Sequence, residues 1–373
     1  MRVLCPGADK LMGKKYLFLF LILMALVGLS GGYIVGGTQA YSRYQQNTLA
    51  NQEHCGGQPP VHICVQAPQS IFSAFYPSYV AAQYPLFTVS YSSSRPVTLL
   101  LSVAIDRVSQ VQTRTVNVTG TMQSSTFIPA LQGQVLRKLT MELNTALHVE
   151  ARDSAGHLYY INDIPLLLHS RWLMQWVAAN RLRIAAWVTP DDPAIAALVR
   201  KAQRHLRDQP PPVPPAMVGY NGATAQQVAD QVDALYDTLR LDYHIHYIQA
   251  SVPYTGTAGG SAATQNVRLP AEVLQQGSGM CVELTTLLAS AAERIGINTE
   301  IVIIPGHAFL GVAVTPDNRH FQYWDAVDVD SNVAADSANV AADNLYQKNL
   351  AQHTILDTIS ISDARNAQIG PML

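Results

Sequence analysis

The sequence predicts an α+β protein in which a β-sandwich precedes a domain built from a cysteine-bearing helix and an antiparallel sheet, with one membrane-spanning helix at the N-terminus. Three observations predict it. An uncharged apolar stretch follows a basic start. Short runs with period-two alternation then occupy 70–170. From about 180 to the end, helical periodicity takes over and leads into a helix–strand–strand series.

The N-terminal part comes first. Arg2, Lys10, Lys14 and Lys15 stand against the single acid Asp9, and no charge occurs from Tyr16 to Ser42. Tyr16–Gly36 matches the roughly 20 apolar residues that a helix needs to cross a bilayer. The basic flank predicts a cytoplasmic N-terminus and extracytoplasmic C-terminal domains, periplasmic in a bacterium. A cleaved signal peptide is the alternative, because the strictly apolar part Tyr16–Leu29 is short and Thr38-Gln39-Ala40 can serve as a cleavage site. Residues 1–45 are read as tail and anchor, and 46–69 as a cysteine-containing loop.

The chain has four cysteines. Cys5 lies in the basic flank. Cys55 and Cys64 bracket a short polar stretch, and an oxidising compartment favours a disulfide between them. A zinc site that adds His54 and His62 is the other reading. Cys281 is left without a partner, which makes it the first pointer to chemistry.

Between 70 and 170, YPLFTVSYSS, RPVTLLLSVAID, QTRTVNVTGT and TALHVEARDSAGHLYYIN alternate as strands do, with Asp153–Gly156 as a hairpin turn. The spacing suggests an immunoglobulin-like sandwich. The run LRIAAWV, from Leu182 to Val188, reads as a strand. Asp191, Asp192 and Pro193 then start a helix whose Ile195, Leu198, Val199, Ala202 and Leu206 share a face. Prolines at 210–212 and 214–215 mark a stiff connector. A second amphipathic helix occupies 223–240.

The stretch 265–330 is the densest in chemical signals. A Gly-Ser-Gly-Met loop delivers Cys281 to a helix start, and Gly296 ends that helix. Thr299–Pro305 reads as a central strand, and two further strands flank the turn Thr315–Asn318. Unpaired N–H groups and the positive dipole end at a helix N-terminus stabilise a thiolate. A histidine at the start of one hairpin strand and an acid on the returning strand can lie side by side, the acid orienting the imidazole toward the sulfur. His307 is that histidine. Asp325 and Asp328 compete as the acid, since a single bulge would change the pairing. Gln265 is a candidate oxyanion or substrate contact, because a side-chain amide can donate to a developing O⁻. Glu283 reads as dipole compensation, Tyr220 as a packed tyrosine, and His244 with His246 as a strand edge that lacks a third metal ligand.

These residues resemble the transglutaminase-like superfamily, relatives of papain-type cysteine proteases. Gly279–Leu284 carries the resemblance for the nucleophile helix, Pro305–Phe309 for the histidine strand and Tyr323-Trp324-Asp325 for the acid strand. The phrases Trp187–Pro193, Gly219-Tyr220, Gln265–Pro270 and Asp363–Arg365 are similar to a bacterial group of membrane-anchored transglutaminase-like proteins. The resemblance covers 180–373. It implies a Cys281 nucleophile, His307 as general base and acid, and an orienting acid. The family's strand pattern, met by Phe321…Trp324-Asp325, favours Asp325 over Asp328, although Ala326 departs from it. It implies no metal and no organic cofactor.

The expected function is that of a cysteine protease or amidase, or a transamidase, acting on a protein or peptide carboxamide outside the cytoplasm. Hydrolysis is favoured by family analogy. A catalytically silent surface binding or scaffold module is the alternative. Charged residues make up only 13% of the chain and the net charge is −2. With no basic stripe, nucleic-acid binding is not expected. Much of the deficit lies between Tyr16 and Ser94, where Arg43 and Glu53 are the only Lys, Arg, Asp or Glu residues.

Overall fold

The computed structural model describes residues 51–177, 180–207, 216–250 and 264–372. The expected anchor at Tyr16–Gly36 and the proline connector lie outside them. Among the described residues, no helix is long and apolar enough to cross a membrane.

The stretch expected to be a cysteine loop is a hairpin, β1 (Asn51–Gly56) and β2 (Val61–Pro68). Val61, Ile63, Val65 and Ala67 are buried while His62 and Gln66 stay exposed, so the alternation that makes a strand begins ahead of residue 70. Cys55 faces Cys64 across the hairpin and the two form a disulfide. His62 lies 3.4 Å from the Cys64 sulfur. Cys55, His62 and Cys64 are the one group among the described residues close enough to hold a metal. His54 pairs with Val65 and so points to the opposite face. Bonded to each other, the two sulfurs provide no thiolate ligands.

There follow β3 (Ser70–Phe72), α1 (Tyr76–Ala81), β4 (Phe87–Ser93), β5 (Val97–Ile105), β6 (Gln112–Val118), β7 (Gln123–Phe127), α2 (Gly133–Lys138), β8 (Leu143–Asp153) and β9 (Leu158–His169). They form one sheet of order β1-β2-β4-β7 and another of order β3-β9-β8-β5-β6. Pairing is antiparallel apart from β3 with β9. Every second residue is buried, as with Leu99, Leu101, Val103 and Ile105 on β5. The β8–β9 turn falls where the sequence places it, with Asp153 accepting from Ala155 N and His157 N.

After β10 (Leu173–Gln175) the chain departs from expectation. Arg181–Trp187, where the sequence suggests a strand, is a 3₁₀ segment. Ile184, Ala185, Ala186 and Trp187 are buried in succession, which a strand lying on one layer cannot achieve. The Trp187 indole donates to Val267 O at 2.6 Å.

The remaining elements are α3 (Pro193–Arg207), α4 (Ala225–Asp237), β11 (His246–Tyr247), β12 (Thr264–Asn266), α5 (Pro270–Gln276), β13 (Ser278–Gly279), α6 (Cys281–Arg294), β14 (Thr299–Ile304), β15 (His307–Ala313), β16 (Phe321–Trp324), α7 (Ala335–Ala351), β17 (Asp357–Ser360) and α8 (Ile361–Asn366). Asp192 Oδ1 caps α3 by accepting Ala194 N, and Thr224 with Gln227 forms a reciprocal capping box on α4. The sheet has the order β16-β15-β14-β17 and is antiparallel throughout.

Helix α6 packs on β14 and β15 and also touches α3, α4 and α5. The sequence marks an apolar stripe, but the helix is buried all round from Cys281 to Ala292. Burial of Leu284, Leu287 and Leu288 contributes about 1.5–3 kcal/mol each. The polar residues on its other faces are hydrogen-bonded. Ser290 accepts from Thr189 N at 2.9 Å. The Thr285 hydroxyl lies 2.8 Å from Cys281 O and 3.1 Å from Ala308 O. Thr285 thus ties the cysteine helix to the strand that begins at His307.

Candidate active site

Cys281 is the first residue of α6, and the loop before it is held by one buried ion pair. Glu283 is fully buried. Its carboxylate accepts from Met280 N at 3.0 Å, from Arg268 N at 2.7 Å, and from Arg268 Nε and Nη2 at 2.9 and 2.6 Å. Arg268 also donates to Ser278 O at 3.1 Å. The reading of Glu283 as dipole compensation captures only part of its role: it fastens Gln265–Pro270 to the cysteine loop. Arg268 offsets its charge, so the carboxylate does not simply cancel the positive helix end beneath Cys281.

Gly279 is required by close approach. A Cβ there would stand 2.7 Å from Leu284 Cδ2 and 3.0 Å from Val273 Cγ1. Gly279→Ala is expected to lower stability by about 1–3 kcal/mol, the usual range for overpacking. Thermal unfolding checks this, and a Tm equal to that of the parent contradicts it.

His307 starts β15 directly after the turn residues Pro305 and Gly306. Gly306 has φ +76°, the left-handed position a Pro-Gly turn needs. The hairpin register pairs Leu310 with Trp324, one residue off the symmetric arrangement that would set His307 opposite Asp328. The strand then stops. Asp325 caps a 3₁₀ turn over Ala326–Val329, its Oδ1 accepting Val327 N at 3.2 Å. Its Oδ2 lies 2.6 Å from His307 Nε2. Asp328 is carried around the turn, and no hydrogen bond joins its side chain to His307 among the described contacts. Burial raises the Asp328 carboxyl, and the nearby Asp325 raises it further.

His307 also lies beside Cys281, the two lining one cavity. Burial alone would lower the imidazole's pKa. The hydrogen bond to Asp325, its charge and the neighbouring Cys281 outweigh burial and raise it to about 10. The ring is therefore held as imidazolium through neutral pH.

Cys281 and His307 line a cavity of about 220 Å³ together with Val282, Ile303, Trp176, Tyr247 and Gln265. A second cavity of about 430 Å³ adjoins it and is lined by Trp172, Ile248, Thr264 and Met280. Gln265 and Ala250 belong to both. Cys281, His307, Asp325 and Gln265 are thus brought to one place. Cys55 and Cys64 belong to the N-terminal sheet and do not line either cavity. Tyr220 is packed away, donating to Ala313 O and accepting from Asn298 N. His246 is exposed and paired with Asp330 at 2.8 Å.

Sequence reasoning missed three contributors. Tyr247 stands in a phrase conspicuous for its histidines. Arg268 lies in a phrase noted only for its resemblance, and its link to Glu283 is not readable from spacing. Trp176 is contributed by a segment more than a hundred residues before the cysteine and donates to Gln265 Oε1 at 3.0 Å.

Residues 194–364 match the model of the transglutaminase-like superfamily, so a transglutaminase-like domain occupies that stretch. It contains Cys281, His307, Asp325 and Gln265, while Trp176 precedes it. No curated protein matches the chain.

Proposed function

We propose that this chain, with its transglutaminase-like domain, is a cysteine hydrolase of protein or peptide carboxamides that uses Cys281, His307 and Asp325. The observation that carries the reading is His307, held by Asp325 at 2.6 Å, facing the same cavity as Cys281 at the start of its helix. Cys281 attacks the carbonyl carbon as a thiolate, its proton passed to His307. Gln265 Nε2 and the Cys281 backbone N–H stabilise the oxyanion. His307 protonates the departing amine as the C–N bond breaks, which leaves a thioester on Cys281. Water then attacks the thioester while His307 takes its proton, and the acid and free thiolate are released. An amine in place of water gives transamidation. Asp325 orients the ring and stabilises the imidazolium.

The action is proposed to take place outside the cytoplasm, with the chain held by Tyr16–Gly36. The apolar, uncharged stretch and the Cys55–Cys64 disulfide support this. The purified chain, in detergent where needed, given a peptide library and an amine donor, is expected to yield hydrolysed products identified by mass. Amine adducts alone would make it a transamidase, and unchanged peptides would overturn the reading.

The raised His307 pKa sets the pH dependence. In the folded protein it lies near 10, above the ordinary 6.5. The stability it contributes is therefore complete below about 6.5 and is lost as pH rises through about 10. Acyl transfer should lose its acid catalyst over the same upper limb. Asp325→Asn removes the paired charge and is expected to move that limb toward neutral pH. A rate profile with an unmoved alkaline limb would contradict the assignment of Asp325.

A further inference from the structure

We infer that Trp176 is a positioning residue that fixes the Gln265 amide with its NH₂ toward Cys281, so that the segment ahead of the transglutaminase-like domain completes the oxyanion site. The inference rests on the reading of Cys281 as an acyl-accepting nucleophile.

An amide side chain offers an acceptor on one side and a donor on the other, and only the donor can serve an oxyanion. The indole N–H of Trp176 donates and cannot accept. At 3.0 Å from Gln265 Oε1, it selects the amide rotamer that turns Nε2 away from itself. On that side Nε2 approaches Met280 Sδ at 3.6 Å, and Met280 directly precedes Cys281. The flipped amide would set NH₂ against N–H and offer the carbonyl oxygen to the developing negative charge. The backbone makes the pairing rigid. Strand β10 runs antiparallel to β12, with Met174 opposite Gln265. Trp176 is itself buried, yet its ring lines the cavity that holds Cys281 and His307. The Trp187 indole donates to O of Val267, the residue that follows β12. Residues 173–176 and Trp187 therefore act as a splint for Gln265.

Two reactions of Cys281 separate this role from a structural one. Acylation by p-nitrophenyl acetate passes through an oxyanion, whereas alkylation by iodoacetamide does not. Trp176→Phe keeps an aromatic ring and removes the donor. It is expected to slow Cys281 acylation by about 10- to 100-fold, up to the low end of the cost of losing an oxyanion donor, with alkylation within about twofold. Gln265→Ala should show the same split, and adding Trp176→Phe to it should cost nothing further. Trp176→His, which retains a ring N–H, should recover part of the loss. Unchanged acylation in Trp176→Phe would overturn the inference. So would an equal fall in both reactions, or a Trp176→Phe effect that persists in the Gln265→Ala background. Should Trp176→Phe fail to fold, Trp176→Leu, which also lacks the donor, makes the same comparison with Gln265→Ala. A parent protein whose Cys281 is alkylated but never acylated would overturn the nucleophile reading itself, a result distinct from any of these.

Discussion

Cys281→Ala is expected to abolish turnover, by about 10³-fold or more, the scale set by removing the nucleophile of a triad. The same substitution should leave the fold intact. It removes one sulfur from a helix whose burial rests on Leu284, Leu287, Leu288 and Ala291. Activity and stability thus separate at this position. If Cys281 were only a small buried hydrophobe, the order would reverse: some stability lost and product formation unchanged. Parallel measurement of peptide cleavage and thermal unfolding distinguishes the two, and retained cleavage would end the case for Cys281.

Arg268→Ala carries the largest expected effect on stability. Glu283 has a side chain 1% exposed, and Arg268 is its ion-pair partner. Removing the cation leaves a buried carboxylate uncompensated, which typically costs about 3–5 kcal/mol. Arg268 also holds Ser278 O, so the loop that delivers Cys281 loses a fastening as well. The unpaired negative charge then lies two residues from the sulfur and opposes a thiolate there. Cysteine reactivity at neutral pH should fall along with the urea midpoint. Replacing both partners, Arg268→Met with Glu283→Gln, should recover much of the stability, because no buried ion is then left alone. A single Arg268→Ala variant with parental stability and cysteine reactivity would contradict the role assigned to this pair.

What the sequence makes legible follows from how local each signal is. The Cys281 helix announces itself through Gly-Ser-Gly-Met before it and Gly296 after it. The His307 strand follows a Pro-Gly turn, and Thr315–Asn318 closes the next hairpin. Each of these is set by residues a few positions apart. The choice between Asp325 and Asp328 turns on a one-residue register shift and on where β16 stops. That stop depends on Asp325 capping its own turn, which periodicity does not report. The hairpin of Cys55 and Cys64 reads as a loop because its polar residues obscure the alternation of Val61, Ile63 and Val65. Leu182–Val188 reads as a strand because an apolar run of that length does not tell a strand from a buried helical turn. Arg268 with Glu283, and Trp176 with Gln265, join residues 15 and 89 positions apart. Such pairs are products of the tertiary fold, and no local pattern encodes them.

The central claim is that Cys281 and His307 form a reactive pair in the native protein. Alkylation of Cys281 by iodoacetamide, followed across pH by mass spectrometry of its peptide, tests it most directly. The account predicts rapid labelling of the folded chain at about pH 6, where an ordinary thiol is almost wholly protonated. His307→Ala should reduce that labelling to the rate of a simple cysteine. A Cys281 that resists alkylation under those conditions and reacts only after denaturation would contradict the account.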